Sequence, residues 1–118
     1  MRLALAKGPA CSLQGKTIGV RKCSDYGKPR PVLIVQSDLF NEHPSVTILP
    51  VTSELRETPH FRIRVEPTPV NGLQKISEVM VDKAQSVPRE RIGDVFGHLG
   101  EEEMLAVSRF LAVFLSVV

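Results

Sequence analysis

Hydrophobic positions alternate in short segments along most of this chain and change to helical spacing near its end. The clearest period of two lies at Phe61, Ile63 and Val65, which alternate with charged residues and predict a strand with one buried and one solvated face. A continuous apolar run at 31–36 predicts a central strand buried on both faces. Weaker strand patterns lie at 17–23, 46–52, 78–82 and 93–99.

The last eighteen residues predict a helix. Three glutamates at 101–103 favour its N-terminus, where the helix dipole is positive. Apolar residues then recur at helical spacing at Met104, Val107, Phe110, Leu111, Phe114 and Leu115. Because this helix is apolar almost all round, it is expected either inside a core or at a contact with another subunit. Pro88 predicts a short helical turn over 88–91. The whole pattern predicts a mainly β fold, a small antiparallel barrel of about five to six strands with one C-terminal α-helix.

The chain is long enough for one domain and too short for two, at 118 residues. Residues 1–14 show neither period, and we expect an irregular leader there, followed by a single domain over 15–118. Apolar residues make up 42% of the chain and charged residues 24%, which is typical of globular proteins. Neither end has an apolar stretch long enough for a signal peptide or a spanning helix, so no membrane association is expected.

Charge and cysteine content narrow the function classes only slightly. The net charge is +2, but residues 1–37 have a charge of +6 and the rest −4, so the N-terminal third could face phosphate or simply be a lopsided surface. Cys11 and Cys23 form no metal or redox motif and favour a reducing cytoplasm. The three histidines have no partner at metal-ligand spacing, and no nucleotide-binding motif occurs. We therefore expect no metal and no cofactor.

Two short segments have side chains suited to phosphate. Arg30 lies between Pro29 and Pro31, which hold its backbone stiffly and mount a guanidinium at the start of the buried strand. The alternative is a surface arginine in a rigid turn. Thr52 and Ser53 end another strand, and their hydroxyls either bind a phosphate or cap the following turn.

The order of these segments resembles the MazF/PemK toxins of type II toxin–antitoxin modules, over about 15–118. The segments that carry the resemblance are 27–38 (Gly-Lys-Pro-Arg-Pro and the apolar run), 49–53, 71–73, 81–83 and 97–99. It implies an SH3-like barrel that works as a cytoplasmic homodimer and cuts single-stranded RNA (mRNA) at a short sequence without a metal. It also implies a cognate antitoxin as partner.

The resemblance also assigns residues. It implies that Arg30 and Thr52 are catalytic, promoting attack of a ribose 2′-OH on its own 3′-phosphodiester to leave a 2′,3′-cyclic phosphate and a 5′-OH. It implies RNA contacts for Asp25, Tyr26, Lys28, Ser53 and Asp82. A purely structural role stays open for Asp25, Tyr26 and Asp82. The chain departs from the family at Gln14-Gly15-Lys16, where an Arg-Gly-acidic start is usual, and at Met80, where one branch has a catalytic arginine.

Two other functions stay open at this stage. A gyrase-binding toxin of the same fold, like CcdB, would act through a C-terminus that typically ends Trp-Gly-Ile, whereas this chain has no tryptophan and ends in Val117-Val118. A non-catalytic RNA-binding module also stays open, since only the resemblance argues against it.

Overall fold

The computed structural model describes residues 1–7, 29–56 and 61–117. Within them, the strands are β1 (Arg2–Lys7), β2 (Pro29–Ile34), β3 (Ser45–Thr52), β4 (Arg62–Val65), β5 (Ser77–Met80), β6 (Gln85–Pro88) and β7 (Ile92–His98). They pair antiparallel in the order β4-β5-β3-β2-β1-β7, and β6 also pairs with β3. Helix α1 spans Glu101–Phe114, and 3-10 turns lie at Asp38–Phe40, Val81–Lys83 and Arg89–Arg91. The mainly β fold with a C-terminal helix is thus confirmed; among the described strands the barrel stays open, with β4 and β7 at its ends.

The expectation of an irregular leader is wrong for the first residues of the chain. Arg2–Lys7 forms β1, which pairs with β2 on one side and β7 on the other. Leu3 and Ala4 are both fully buried, on opposite faces of the sheet. Leucine and alanine have no strong preference for strands, so the two neighbouring strands, rather than local propensity, make this segment extended.

Several predicted strands are confirmed with shifted ends, while the predicted strand at 17–23 lies outside the described residues. The strand expected at 78–82 ends at Met80, and Asp82 lies in the 3-10 turn that follows. The short turn expected after Pro88 is the 3-10 turn Arg89–Arg91. The sequence pattern gave no sign of β6, whose Gln85 and Val87 are buried beside β3.

One edge of strand β3 pairs with two different strands in succession, and Pro50 lies between the two paired stretches. Residues 45–48 pair with β6, and residues 51–52 pair with β5. Because proline has no N–H to donate, it fits this interruption of the ladder. The end of β3 that carries Thr52 therefore pairs with β5 rather than with β6.

The sheet is buried on both faces near β2. Val32 and Ile34 pack into one apolar cluster, and Leu33 packs into the other, as expected for a strand buried on both faces. Each fully buried Val or Leu side chain stabilises the fold by roughly 1.5–3 kcal/mol relative to an exposed one. This buried part of β2 directly follows the strand start where Arg30 lies.

Helix α1 covers only one of these clusters. Val107 is its buried residue, and Phe110 and Leu111 are partly buried on the same cluster. Val113 and Phe114 are 71% and 50% exposed, so the helix is not enclosed in the core of its own chain. Gly100 is the N-cap residue just before the helix, and its N–H donates to Glu103 Oε1 at 3.2 Å.

The loop between β4 and β5 is organised by a buried asparagine. Asn71 is 1% exposed, and its Oδ1 accepts hydrogen bonds from the N–H groups of Thr68 (2.9 Å) and Leu73 (3.0 Å). Its Nδ2 donates to the carbonyl of Glu66 at 2.8 Å. The next residue, Gly72, has φ +69° and lies so close to Phe96 that a Cβ would come within 2.7 Å of its carbonyl oxygen. Both residues of this turn are therefore required by geometry.

Asn71→Ala is expected to destabilise the fold by about 3 kcal/mol, because it leaves three backbone groups without their buried partner. The free energy of unfolding in urea measures this. Lys75→Ala, an exposed change in the same loop, is the control and is expected to stay within about 0.5 kcal/mol of the parent. Equal stability of the two variants would contradict the structural role of Asn71.

Candidate active site

A row of four polar side chains crosses four adjacent strands at one level. In the register of β2 and β3, Val32 pairs with Pro50, so Arg30 and Thr52 lie two residues further toward the same end and on the same face. Thr52 in turn pairs with Glu78, and Glu78 pairs with Arg64. The pairing of strands therefore places Arg30, Thr52, Glu78 and Arg64 on one face of the sheet.

Arg30 begins this row on an exposed strand end. It is the second residue of β2, its Cα pairs with that of Ala6, and it is exposed. It thus lies inside a strand rather than in the rigid turn considered above. A guanidinium on a strand flanked by prolines offers several fixed N–H donors to a phosphate with little loss of backbone freedom.

Thr52 ends β3 and is half-buried. Its Oγ1 accepts a hydrogen bond from the N–H of Glu54 at 3.1 Å, so the hydroxyl caps the turn, as the alternative interpretation held. A hydroxyl that accepts in one contact still has a proton to donate in another. Capping therefore fixes the direction of the hydroxyl and leaves its donor for a ligand. Ser53 is exposed next to it.

Glu78 is the buried acid of the row. It is 4% exposed, and its Oε1 accepts from the backbone N–H of Arg56 at 2.9 Å and from Arg62 Nη1 at 3.0 Å. Its Oε2 lies 3.5 Å from Arg64 Nη2. Burial acts to raise the pKa of Glu78, but the Arg56 N–H and the guanidinium groups of Arg62 and Arg64 outweigh burial and hold that pKa below its usual value. Glu78 is therefore an anion at neutral pH.

The other residues predicted to bind RNA are not brought into this row by the described structure. Asp82 lies in the 3-10 turn that leads to β6, where Gln85 pairs with Ile48, and this is away from the end of β3. Asp25, Tyr26 and Lys28 lie outside the described residues. In residues 1–7, 29–56 and 61–117, no group of three or more His, Cys, Asp or Glu side chains is placed to hold a metal ion. No described helix is long and apolar enough to cross a membrane.

An open cavity of about 740 Å³ lies at the Arg64 end of the row, between the loop after β4 and the start of α1. Arg64 is its cation, but Glu66 and the three glutamates of the first helical turn also line it. Four carboxylates repel a polyanion, so this cavity is unsuited to RNA. The row that ends at Arg30 is the better candidate site.

The sequence pattern missed Glu78 and misjudged Arg62. Alternation at 61–65 predicts that the arginines of β4 face water, and Arg64 is indeed half-exposed. The Arg62 side chain, however, is only 12% exposed because it lies against Glu78. The sequence held one sign of this ion pair: Arg62 and Arg64 lie on one face of a strand, and Glu78 lies within an apolar strand. It becomes informative only when the two strands are known to pair.

Two comparisons of the sequence with known proteins match the same family. The family model of PemK-like, MazF-like toxins of type II toxin–antitoxin systems matches residues 18–115. The probable endoribonuclease MazF of Mycolicibacterium smegmatis is 46% identical over 91 residues, which is 77% of this chain and 84% of that protein.

Solved structures agree with the fold. The Mycobacterium tuberculosis toxin MazF-mt6 superposes with a TM-score of 0.72 at 23% identity, covering 98% of this chain and 97% of that one. An endoribonuclease from a mycobacterial species, solved in complex with its cognate antitoxin, gives a TM-score of 0.71 at 18% identity, with 99% and 93% covered. At such identities these likenesses concern the fold alone.

Proposed function

Because the chain belongs to the PemK-like, MazF-like toxins of type II toxin–antitoxin systems, we propose that it is an endoribonuclease that cuts single-stranded RNA at a short sequence. The observation that supports this most is the position of Arg30 and Thr52. They lie at the same end of two adjacent strands and on the same face. A guanidinium and a hydroxyl donor placed together can bind the two kinds of oxygen that a phosphodiester presents.

The proposed reaction is transesterification without a metal. The ribose 2′-oxygen attacks the adjacent phosphorus, and its proton leaves to a base. The bond from phosphorus to the 5′-oxygen then breaks, and that oxygen takes up a proton. The products are a 2′,3′-cyclic phosphate and a 5′-OH end.

Each side chain has a task in this reaction. Arg30 stabilises the negative charge that grows on the phosphorane oxygens and lies at the solvent edge, where it can also supply the proton to the leaving oxygen. Thr52 donates its hydroxyl proton to a non-bridging oxygen of the scissile phosphate, and Ser53 extends this contact. In the same proposal, Asp25, Tyr26, Lys28 and Asp82 contact bases and backbone of the bound RNA.

Partners and location complete the proposal. The relative solved with its cognate antitoxin supports a similar partner here. We include a homodimer and a cytoplasmic location. The exposed apolar residues of α1, such as Val113 and Phe114, are a surface that a second subunit would bury.

The test is incubation of the purified protein with a sequence-diverse single-stranded RNA in EDTA, with both fragment ends mapped. Discrete cuts with 2′,3′-cyclic phosphate and 5′-OH ends are expected. RNA binding without cutting would favour the non-catalytic module, and capture of gyrase without cutting would favour the CcdB-like function. Cutting that stops in EDTA and returns with Mg²⁺ would contradict the metal-independent mechanism.

A further inference from the structure

The segment that follows Thr52 is held at three backbone positions. The N–H of Glu54 donates to Thr52 Oγ1 at 3.1 Å, and the carbonyl of Glu54 accepts from Arg62 Nη1 at 3.0 Å. The N–H of Arg56 donates to Glu78 Oε1 at 2.9 Å. Residues 53–56 are exposed, so solvent would otherwise satisfy these groups and leave the segment free to move.

Two of these three contacts come from one buried ion pair. Arg62 and Glu78 are joined at 3.0 Å, with side chains 12% and 5% exposed. The same nitrogen of Arg62 that binds Glu78 also binds the Glu54 carbonyl. The pair therefore links β4, β5 and the segment after β3 at the level of Thr52.

Stability alone does not account for such a pair. Replacing a buried ion pair by apolar side chains of similar volume is often neutral or stabilising, because both charges lose their hydration on burial. An ion pair, unlike apolar side chains, can make hydrogen bonds of fixed geometry. Here those hydrogen bonds go to the segment that follows Thr52.

We propose that Arg62 and Glu78 are positioning residues that hold residues 52–56 so that the Thr52 and Ser53 hydroxyls face the scissile phosphate. This inference rests on the proposed function, since it concerns the same site. Neither side chain is required to touch RNA. Their effect acts through Thr52, whose Oγ1 accepts from the N–H of Glu54, the residue whose carbonyl Arg62 holds.

The experiment uses the double variant Arg62→Met/Glu78→Leu, which removes both charges together and avoids an unpaired buried ion. We expect it to fold, with a urea midpoint near that of the parent. Its kcat for RNA cleavage is expected to be at least about tenfold lower, because a small displacement of a catalytic group lowers the rate by about that much. KM is expected to stay within about threefold, because RNA is still bound elsewhere. Arg109→Met is the matched control: it makes the same change at an exposed arginine of α1 that lies outside the row and outside segment 53–56, and its kcat is expected to stay within about twofold of the parent.

Combination with Thr52→Ala separates positioning from a general effect on the fold. If the pair acts mainly through Thr52, adding the double variant to Thr52→Ala lowers kcat far less than the double variant does in the parent. Losses that multiply would overturn the inference, as would a folded double variant with parental kcat or a loss confined to KM. If the double variant does not fold, the pair is part of the fold itself and the inference is equally overturned. Absence of cleavage by the parent chain would instead refute the proposed function, so the two failures are distinguishable.

Discussion

Arg30→Ala is expected to lower the rate of RNA cleavage by about 10²- to 10³-fold, the usual cost of removing one donor to a charge that develops in the transition state. Arg30 is exposed and lies at the start of a strand whose buried residues are 32–34, so its side chain contributes to the site and little to the core. The loss should appear in kcat more than in KM, because the phosphorane carries more negative charge than the bound phosphodiester. Single-turnover cleavage of a defined RNA measures it.

Two further variants test whether the loss is specific to the guanidinium of Arg30. Arg30→Lys keeps the charge but loses the planar set of donors, and we expect an intermediate rate. Arg109→Ala removes an exposed arginine on α1 and should leave the rate within about twofold of the parent, as for an ordinary surface substitution. Equal rates for Arg30→Ala and Arg109→Ala would show that Arg30 has no part in the chemistry.

Thr52→Val is expected to lower kcat by about 10²-fold, because it keeps the branched shape and removes the hydroxyl that donates to the phosphate. The same change removes the acceptor for the Glu54 N–H, so residues 53–56 also lose one of their three contacts. Thr52→Ser keeps both hydrogen bonds and should retain most of the activity. Rates of cleavage for the three proteins, each checked for folding by urea denaturation, make the comparison.

Thr47→Val is the control for the threonine series. Thr47 lies on the same strand and is also half-buried, but it is five positions before Thr52, an odd offset, so it faces the other side of the sheet. Its replacement should change the rate by less than about twofold. A loss as large as that of Thr52→Val would mean that any hydroxyl on β3 matters for folding and that the proposed contact to phosphate is wrong.

Several elements could be predicted because their signals are local. The apolar run of β2, the alternation at Ile63 and Val65 and the helical spacing after residue 101 each reflect a periodicity that one segment contains in full. The candidate residues Arg30 and Thr52 were also identified from sequence, by their place in a recognisable order of motifs. Whether they act as proposed is for the substitutions above to decide.

Other features depend on partners far away in the chain. β1 has weak strand propensity, and it is extended because β2 and β7 pair with both of its edges. Glu78 reads as an ordinary charged residue in sequence, yet it is buried because β3 and β4 lie on either side of it.

The sequence by itself determined which residues are apolar enough to form the core and which polar side chains end the strands. Only the tertiary structure decided that Arg30, Thr52, Glu78 and Arg64 share one face at one level, because strand register is set by pairing between distant segments. It also decided that Arg62 turns inward to an anion rather than outward to water. The burial of a charge depends on what surrounds it in three dimensions, and no local pattern contains that information.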